Sequence, residues 1–128
     1  MIAALPPPVL EVYYSPTCAP CRLELPVLAD FAKADGSRVR IVILDQEARA
    51  RGELRAVSPA LEKAAVMRHG EKPRAVLLAA GDTDGILPFA RSLIPKDKVC
   101  GRWRGGLTPA KARELVQACA RIISPGRR

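Results

Sequence analysis

The chain is poor in aromatic residues and almost without histidine. Its 128 residues include one Trp, two Tyr, two Phe and a single His, His69. So few aromatics leave the core to Val, Leu, Ile and Ala, and supply no run of platforms on which bases could stack. No apolar stretch approaches the roughly 20 residues that cross a bilayer. Acidic residues are outnumbered, 13 Asp and Glu against 21 Lys and Arg, for a formal net charge of +8. A basic balance favours acidic partners, nucleic acid or anionic membrane surfaces. The cations, however, are scattered over residues 22–128. The one loose cluster, Arg91, Lys96, Lys98, Arg102 and Arg104, holds a single aromatic, Trp103. Neither a nucleic-acid partner nor membrane insertion is expected.

Cysteine is also scarce. Four residues, Cys18, Cys21, Cys100 and Cys119, are too few for a disulfide-stapled scaffold in a chain of this length. A zinc site would want a second close pair; Cys100 and Cys119 are far apart and His69 is distant from both, so no metal is expected. Residues 1–10 carry no Lys or Arg, and Pro6, Pro7 and Pro8 cut their apolar stretch, which does not read as a signal peptide. As it stands the chain reads as cytoplasmic; a removed signal would make it periplasmic.

What is present suits one domain over 1–128, acting as a monomer. Hydrophobic residues make up 48% and charged ones 27%. Residues 1–8 form a stiff lead-in. Residues 9–14, rich in β-branched and aromatic side chains, predict a strand. A helix is expected over 19–34, kinked by Pro26 and ended at Gly36. Residues 39–44 read as a strand buried on both faces. Residues 46–53 are polar and suggest a helical turn. Ser58–Pro59 starts a helix to about 68, closed by Gly70. Pro73 introduces a third strand over 74–80. Residues 88–93 suggest a short helix, and 99–105 a fourth strand. Thr108–Pro109 caps a last helix to about 123, with Ala112, Leu115, Val116 and Cys119 on its apolar stripe; 124–128 is a basic tail. The order β-α-β-α-β-β-α implies a mixed sheet flanked by helices.

Cys18-Ala19-Pro20-Cys21 lies where the first strand gives way to a helix. The thiolate is the reactive form of cysteine, and free N–H groups at a helix start stabilise it. Cys18 at that start would be the exposed nucleophile. Cys21, one turn on, would resolve the mixed disulfide by attacking Cys18. Pro20 removes a backbone donor and stiffens the loop. Alone, a C-x-x-C spacing also fits half a zinc site or two unrelated thiols; the β-α-β frame favours the redox reading. Cys119 reads as a core thiol, with a Cys100–Cys119 disulfide or a regulatory Cys100 as alternatives.

The segment Tyr13-Tyr14-Ser15-Pro16-Thr17-Cys18-Ala19-Pro20-Cys21-Arg22 resembles the active-site region of the thioredoxin superfamily. Pro26 matches its helix kink, and Gly105–Gly106 before the last helix is similar to its ending. Cys-Ala-Pro-Cys-Arg-Leu-Glu-Leu-Pro is most similar to the C-x-P-C-R-x-E-x-P pattern of TlpA- and ResA-like thiol–disulfide oxidoreductases. The resemblance implies a thioredoxin-like fold and an enzyme that exchanges disulfides with protein thiols, as a reductant reset by an unidentified electron donor. It implies no cofactor beyond the Cys18–Cys21 couple. It makes Glu24 the candidate for proton transfer with Cys21, and Pro73 the family's cis-proline. Lys72 would then lie beside Cys18, and Lys72, Pro73 and Pro20 would contact substrate. Thr17 stands where that group has Trp, and Val12 where thioredoxins place a buried acid. A thioredoxin-fold binding module, or a redox sensor without turnover, are the rival functions.

Overall fold

The computed structural model describes residues 7–35 and 38–123. Five strands form one mixed sheet in the order β3-β2-β1-β4-β5. Its centre is β1 (Val9–Tyr14), paired in parallel with β2 (Arg38–Ile43) and antiparallel with β4 (Phe89–Ile94). The short β3 (Ala65–Met67) extends the parallel half, and β5 (Lys98–Arg104) extends the antiparallel half.

Alternation along β1 sorts its side chains to two faces. Leu10, Val12 and Tyr14 join Ile41 and Ile43 in a core with Leu25, Leu28 and Phe31 of α2 (Leu25–Asp35) and with Ala112 and Leu115 of α6 (Pro109–Ile123). Ala50 and Leu54 of α3 (Glu47–Val57) and Leu61 of α4 (Pro59–Lys63) close the same core. On the other face Tyr13, Val42, Leu44 and Phe89 pack under Val76, Leu77 and Ala80 of α5 (Pro73–Ala80). Below α5 that face carries a buried charge network. Glu11 accepts from the Tyr13 hydroxyl, from Arg91 at 2.6 Å and from Arg40 at 2.7 Å. Burial alone would raise the Glu11 pKa; the hydrogen bonds of Tyr13 and Arg91 and the charges of Arg91 and Arg40 outweigh it and hold it below the usual range.

The expected mixed sheet with flanking helices is present, with its middle third arranged differently. Residues 74–80, expected as a strand, are helix α5. Pro73 occupies its first turn and Gly81, at φ 102°, ends it. Arg-Ala-Val-Leu-Leu-Ala-Ala holds a single β-branched residue and otherwise strong helix formers. The strands are instead β3, at the end of what reads as one helix from Ser58, and β4, where a short helix is expected. At Ala64 the chain leaves α4 and pairs with β2. The polar stretch after Gln46 is a full helix, α3, which buries Ala50 and Leu54 and pairs Arg51 with Glu47 and Arg49 with Glu53 at i,i+4 spacing. His69, expected at a helix end, lies in a loop and pairs with Glu47 at 2.9 Å. Of the proline lead-in only Pro7 and Pro8 are described; Gly36 and the basic tail lie outside the described residues. No described helix is long and apolar enough to cross a membrane.

Cys100 and Cys119 are joined as a disulfide between β5 and α6. Cys119 is buried on the apolar stripe as expected, yet it is not a free thiol. A cross-link closing a loop of this size stabilises by about 3 kcal/mol, chiefly by restricting the unfolded chain. The double variant C100S/C119A is expected to lose about that much in urea unfolding under oxidising conditions. An unchanged midpoint would mean that the bond contributes nothing.

Candidate active site

β1 ends at Tyr14, and Ser15–Thr17 turn the chain into α1 (Ala19–Leu23). Cys18 is the N-cap of α1, in extended conformation, and its Sγ accepts from the backbone N–H of Cys21 at 3.2 Å. Pro20 lies in the first turn, where its missing N–H leaves no helical bond unmade. Cys18 is partly exposed and Cys21 fully buried, and the two are joined as a disulfide. Cys18 therefore faces solvent and Cys21 lies beneath it. The main-chain donor already aimed at Cys18 Sγ would stabilise the thiolate that reduction produces.

Glu24 separates α1 from α2, at the kink that Pro26 enforces from the first turn of α2. Its side chain is buried. Oε1 accepts from the backbone N–H of Leu107 at 3.0 Å, and Oε2 has no protein partner. Burial raises its pKa to about 7, opposed only by the Leu107 hydrogen bond. Glu11 lies on the opposite face of the sheet from Cys21, whereas Glu24 is buried on the cysteines' side.

A groove of about 460 Å³ opens beside Cys18. Its walls come from Thr17, Pro20, Leu44, Asp45, Pro73 and the run Gly85–Ile86–Leu87. Ser15 steadies its floor by donating to Asp45 at 2.7 Å. Pro73 lines this groove, but not as a cis-proline. It begins α5, and the cis peptide bond among the described residues is Leu87–Pro88. Lys72 is the exposed residue before α5 and does not line the groove; the residue preceding the cis-proline is Leu87, which does. The thiolate-stabilising cation expected from Lys72 is thus replaced by an aliphatic side chain. Pro88 stands directly before Phe-Ala-Arg-Ser-Leu-Ile, which becomes a strand by pairing with β1 in the centre of the sheet, and that pairing is not visible in the local sequence. The contributions of Ser15, Asp45 and Ile86 had no sequence signal, because they depend on which loops the sheet order brings together. Trp103 packs on the core, donates to the Gly106 carbonyl at 3.0 Å and carries Lys111 over its ring. Among the described residues no group of three His, Cys, Asp or Glu side chains is placed to hold a metal ion.

Solved structures share this fold over most of the chain. A thioredoxin-related protein from Neisseria meningitidis serogroup B superposes with a TM-score of 0.72 at 22% identity, covering 92% of this chain and 89% of that one. The exposed lipoprotein thioredoxin Etrx1 of Streptococcus pneumoniae gives 0.66 at 15% identity, over 87% and 84%. A secreted Mycobacterium tuberculosis disulfide oxidoreductase homologous to DsbE of E. coli gives 0.59 at 14% identity, over 89% and 81%. The fold is that of thioredoxin. No protein-family model matches the sequence, and no curated protein matches it. Within the thioredoxin fold, a cysteine pair at the junction of β1 and α1 and a cis-proline loop facing it define the candidate active site.

The state of Glu24 gives a pH test. In the unfolded chain it ionises near 4.5, but in the folded protein only near 7. The folded state therefore holds the proton longer. Stability due to this group is complete at low pH and is lost as pH rises through about 7, by up to about 3 kcal/mol. Glu24→Gln should gain on the wild type between about pH 5 and about pH 8, measured by urea unfolding of the oxidised proteins. A difference independent of pH would contradict a buried, weakly acidic Glu24.

Proposed function

We propose that the chain is a thiol–disulfide oxidoreductase that reduces disulfides in protein substrates. The observation that carries this reading is the Cys18–Cys21 pair itself, one sulfur partly exposed at a helix start and the other buried beneath it. In the reduced enzyme the Cys18 thiolate attacks one sulfur of a substrate disulfide. The new bond is a mixed disulfide, and the other substrate sulfur leaves as a thiolate. Cys21, giving up its proton, then attacks Cys18 Sγ. This releases the second substrate thiolate and forms the Cys18–Cys21 disulfide. Two electrons pass to substrate, and a separate thiol donor must return them.

Glu24 is the group we assign to accept the Cys21 proton. It stands one turn after Cys21, with a buried and unpartnered Oε2 and a proton affinity near neutrality. The reductive direction rests on the residue before the cis-proline. A cation beside Cys18 would favour the thiolate and make the couple more oxidising; Leu87, before the cis-proline, offers no charge, and Arg74, which lines the same groove, keeps its charge while it donates to the Asp84 carbonyl. The loop at Leu87, which lines the groove beside Cys18, is where we place an extended substrate segment, bound by strand-like hydrogen bonds.

An extracytoplasmic site of action is the second element of the proposal. The Cys100–Cys119 disulfide, which the exchange chemistry does not use, suits an oxidising compartment. The names of the structural neighbours, an exposed lipoprotein and a secreted oxidoreductase, point the same way.

Trapping separates the roles of the two cysteines. Cys21→Ser should accumulate a covalent adduct with protein substrates, seen as a mass increase lost on adding dithiothreitol. Cys18→Ser should form none. Adducts through Cys21 in the Cys18→Ser variant would reverse the assignment. Binding of partners undiminished in both variants, without any adduct, would favour a binding module.

A further inference from the structure

The chain buries a carboxylate beside the groove that the exchange chemistry does not use. Asp82, in the loop after α5, is wholly buried. Its Oδ1 accepts from the backbone N–H of Asp84 at 3.3 Å, and its Oδ2 from that of Ile86 at 3.0 Å. Arg104, at the end of β5, reaches Oδ1 at 3.4 Å and also pairs with Asp84. From the other side Arg74 of α5 donates to the Asp84 carbonyl at 2.9 Å. The backbone closes on the same residue: Asp82 donates to Leu77 O and accepts from Gly85 N–H, each at 3.0 Å. At Gly85, φ 63°, an added Cβ would stand 2.9 Å from Arg74 Cγ, so this turn is pressed against α5.

Burying an ionised carboxylate is costly unless its donors are fixed in place. Here those donors are two amides of one short loop and a guanidinium from the neighbouring strand. Their joint effect is to set the path of residues 82–86. That path leads directly into Ile86 and Leu87, which line the groove with Cys18. Ile86 is 59% exposed, a large aliphatic side chain held in solvent at the groove's edge.

We propose that Asp82, clamped by Arg104, is a positioning residue that sets Ile86 as the substrate-selecting wall of the groove, favouring protein segments with an aliphatic residue beside the reacting cysteine. Asp82 touches neither sulfur. It acts through the loop, and Ile86 makes the contact. The inference rests on the disulfide-exchange reading above.

The test compares a protein disulfide, insulin, with a small one, glutathione disulfide, using the full chain. Asp82→Asn keeps the size of the side chain but removes its charge and one acceptor. It should raise KM for insulin about tenfold while kcat stays within about twofold, as expected for lost binding that is equal in ground and transition states. Rates with glutathione disulfide, and the Cys18–Cys21 potential, should not move. Ile86→Ser should reproduce the KM effect, and Arg104→Gln should show a smaller one, about threefold. Ile86 and Arg104 are exposed or half-exposed, so these two variants carry the test even if Asp82→Asn fails to fold. Equal losses toward insulin and glutathione disulfide, or an unchanged insulin KM in Ile86→Ser, would overturn the proposal. A wild-type protein that turns over neither disulfide would instead defeat the exchange reading itself.

Discussion

The site depends on how β1 is held. β1 is bonded to β2 on one side and to β4 on the other, with Tyr14 beside Ile43 in the parallel pair and Val12 beside Ala90 in the antiparallel one. Parallel pairing brings the ends of β1 and β2 to the same edge, so Cys18 and Asp45 follow side by side. Antiparallel pairing brings the start of β4 to that edge as well, and with it Leu87 and Pro88. One strand flanked in both senses thus brings Cys18, Asp45 and Leu87 to one groove from segments up to about 70 residues apart. The burial of Leu10, Val12, Tyr13 and Tyr14 on the two faces fixes this register, because a slip of one residue would exchange the faces.

Two buried carboxylates show how the same fold uses charge in opposite ways. Glu11 has three donors and stays ionised, so it ties β1 to β2 and β4 through Arg40 and Arg91. Its contribution is present above the unfolded pKa and is lost as pH falls. Glu24 has one donor and an orphaned oxygen, so it keeps its proton to near neutrality. The difference lies in partners, since both are buried. A group that changes protonation near pH 7 can exchange a proton with a thiol; one locked by two guanidinium groups cannot.

Much of the site was readable because it is local. Cys18, Pro20, Cys21, Glu24 and Pro26 fall within one helical segment, and their spacing carries cap, kink and buried turn together. The last helix was readable for the same reason, with Thr108 and Pro109 at its start; Thr108 Oγ1 accepts from Lys111 N–H. The cis-proline was misassigned because Pro73 and Pro88 both precede apolar runs. Each run holds a single β-branched residue, Val76 and Ile94; what separates them is that Arg74–Ala80 is closed by Gly81, whereas the run after Pro88 finds its partner in β1. Pairing at that distance leaves no trace in a window of ten residues. β3 was lost similarly: three residues, Ala65–Met67, become a strand only because β2 offers an edge. The Cys100–Cys119 bond required knowing that β5 lies under α6.

The central claim is that Cys18 and Cys21 form a reversible two-electron couple on the reducing side. Its most direct test is the reduction potential of that pair, by equilibration with glutathione or dithiothreitol buffers and mass mapping that distinguishes it from Cys100–Cys119. The account predicts a single transition below about −220 mV, in the range of reductants of this fold. A value near −120 mV would make the protein an oxidant, and no reversible transition at this pair would contradict the account outright.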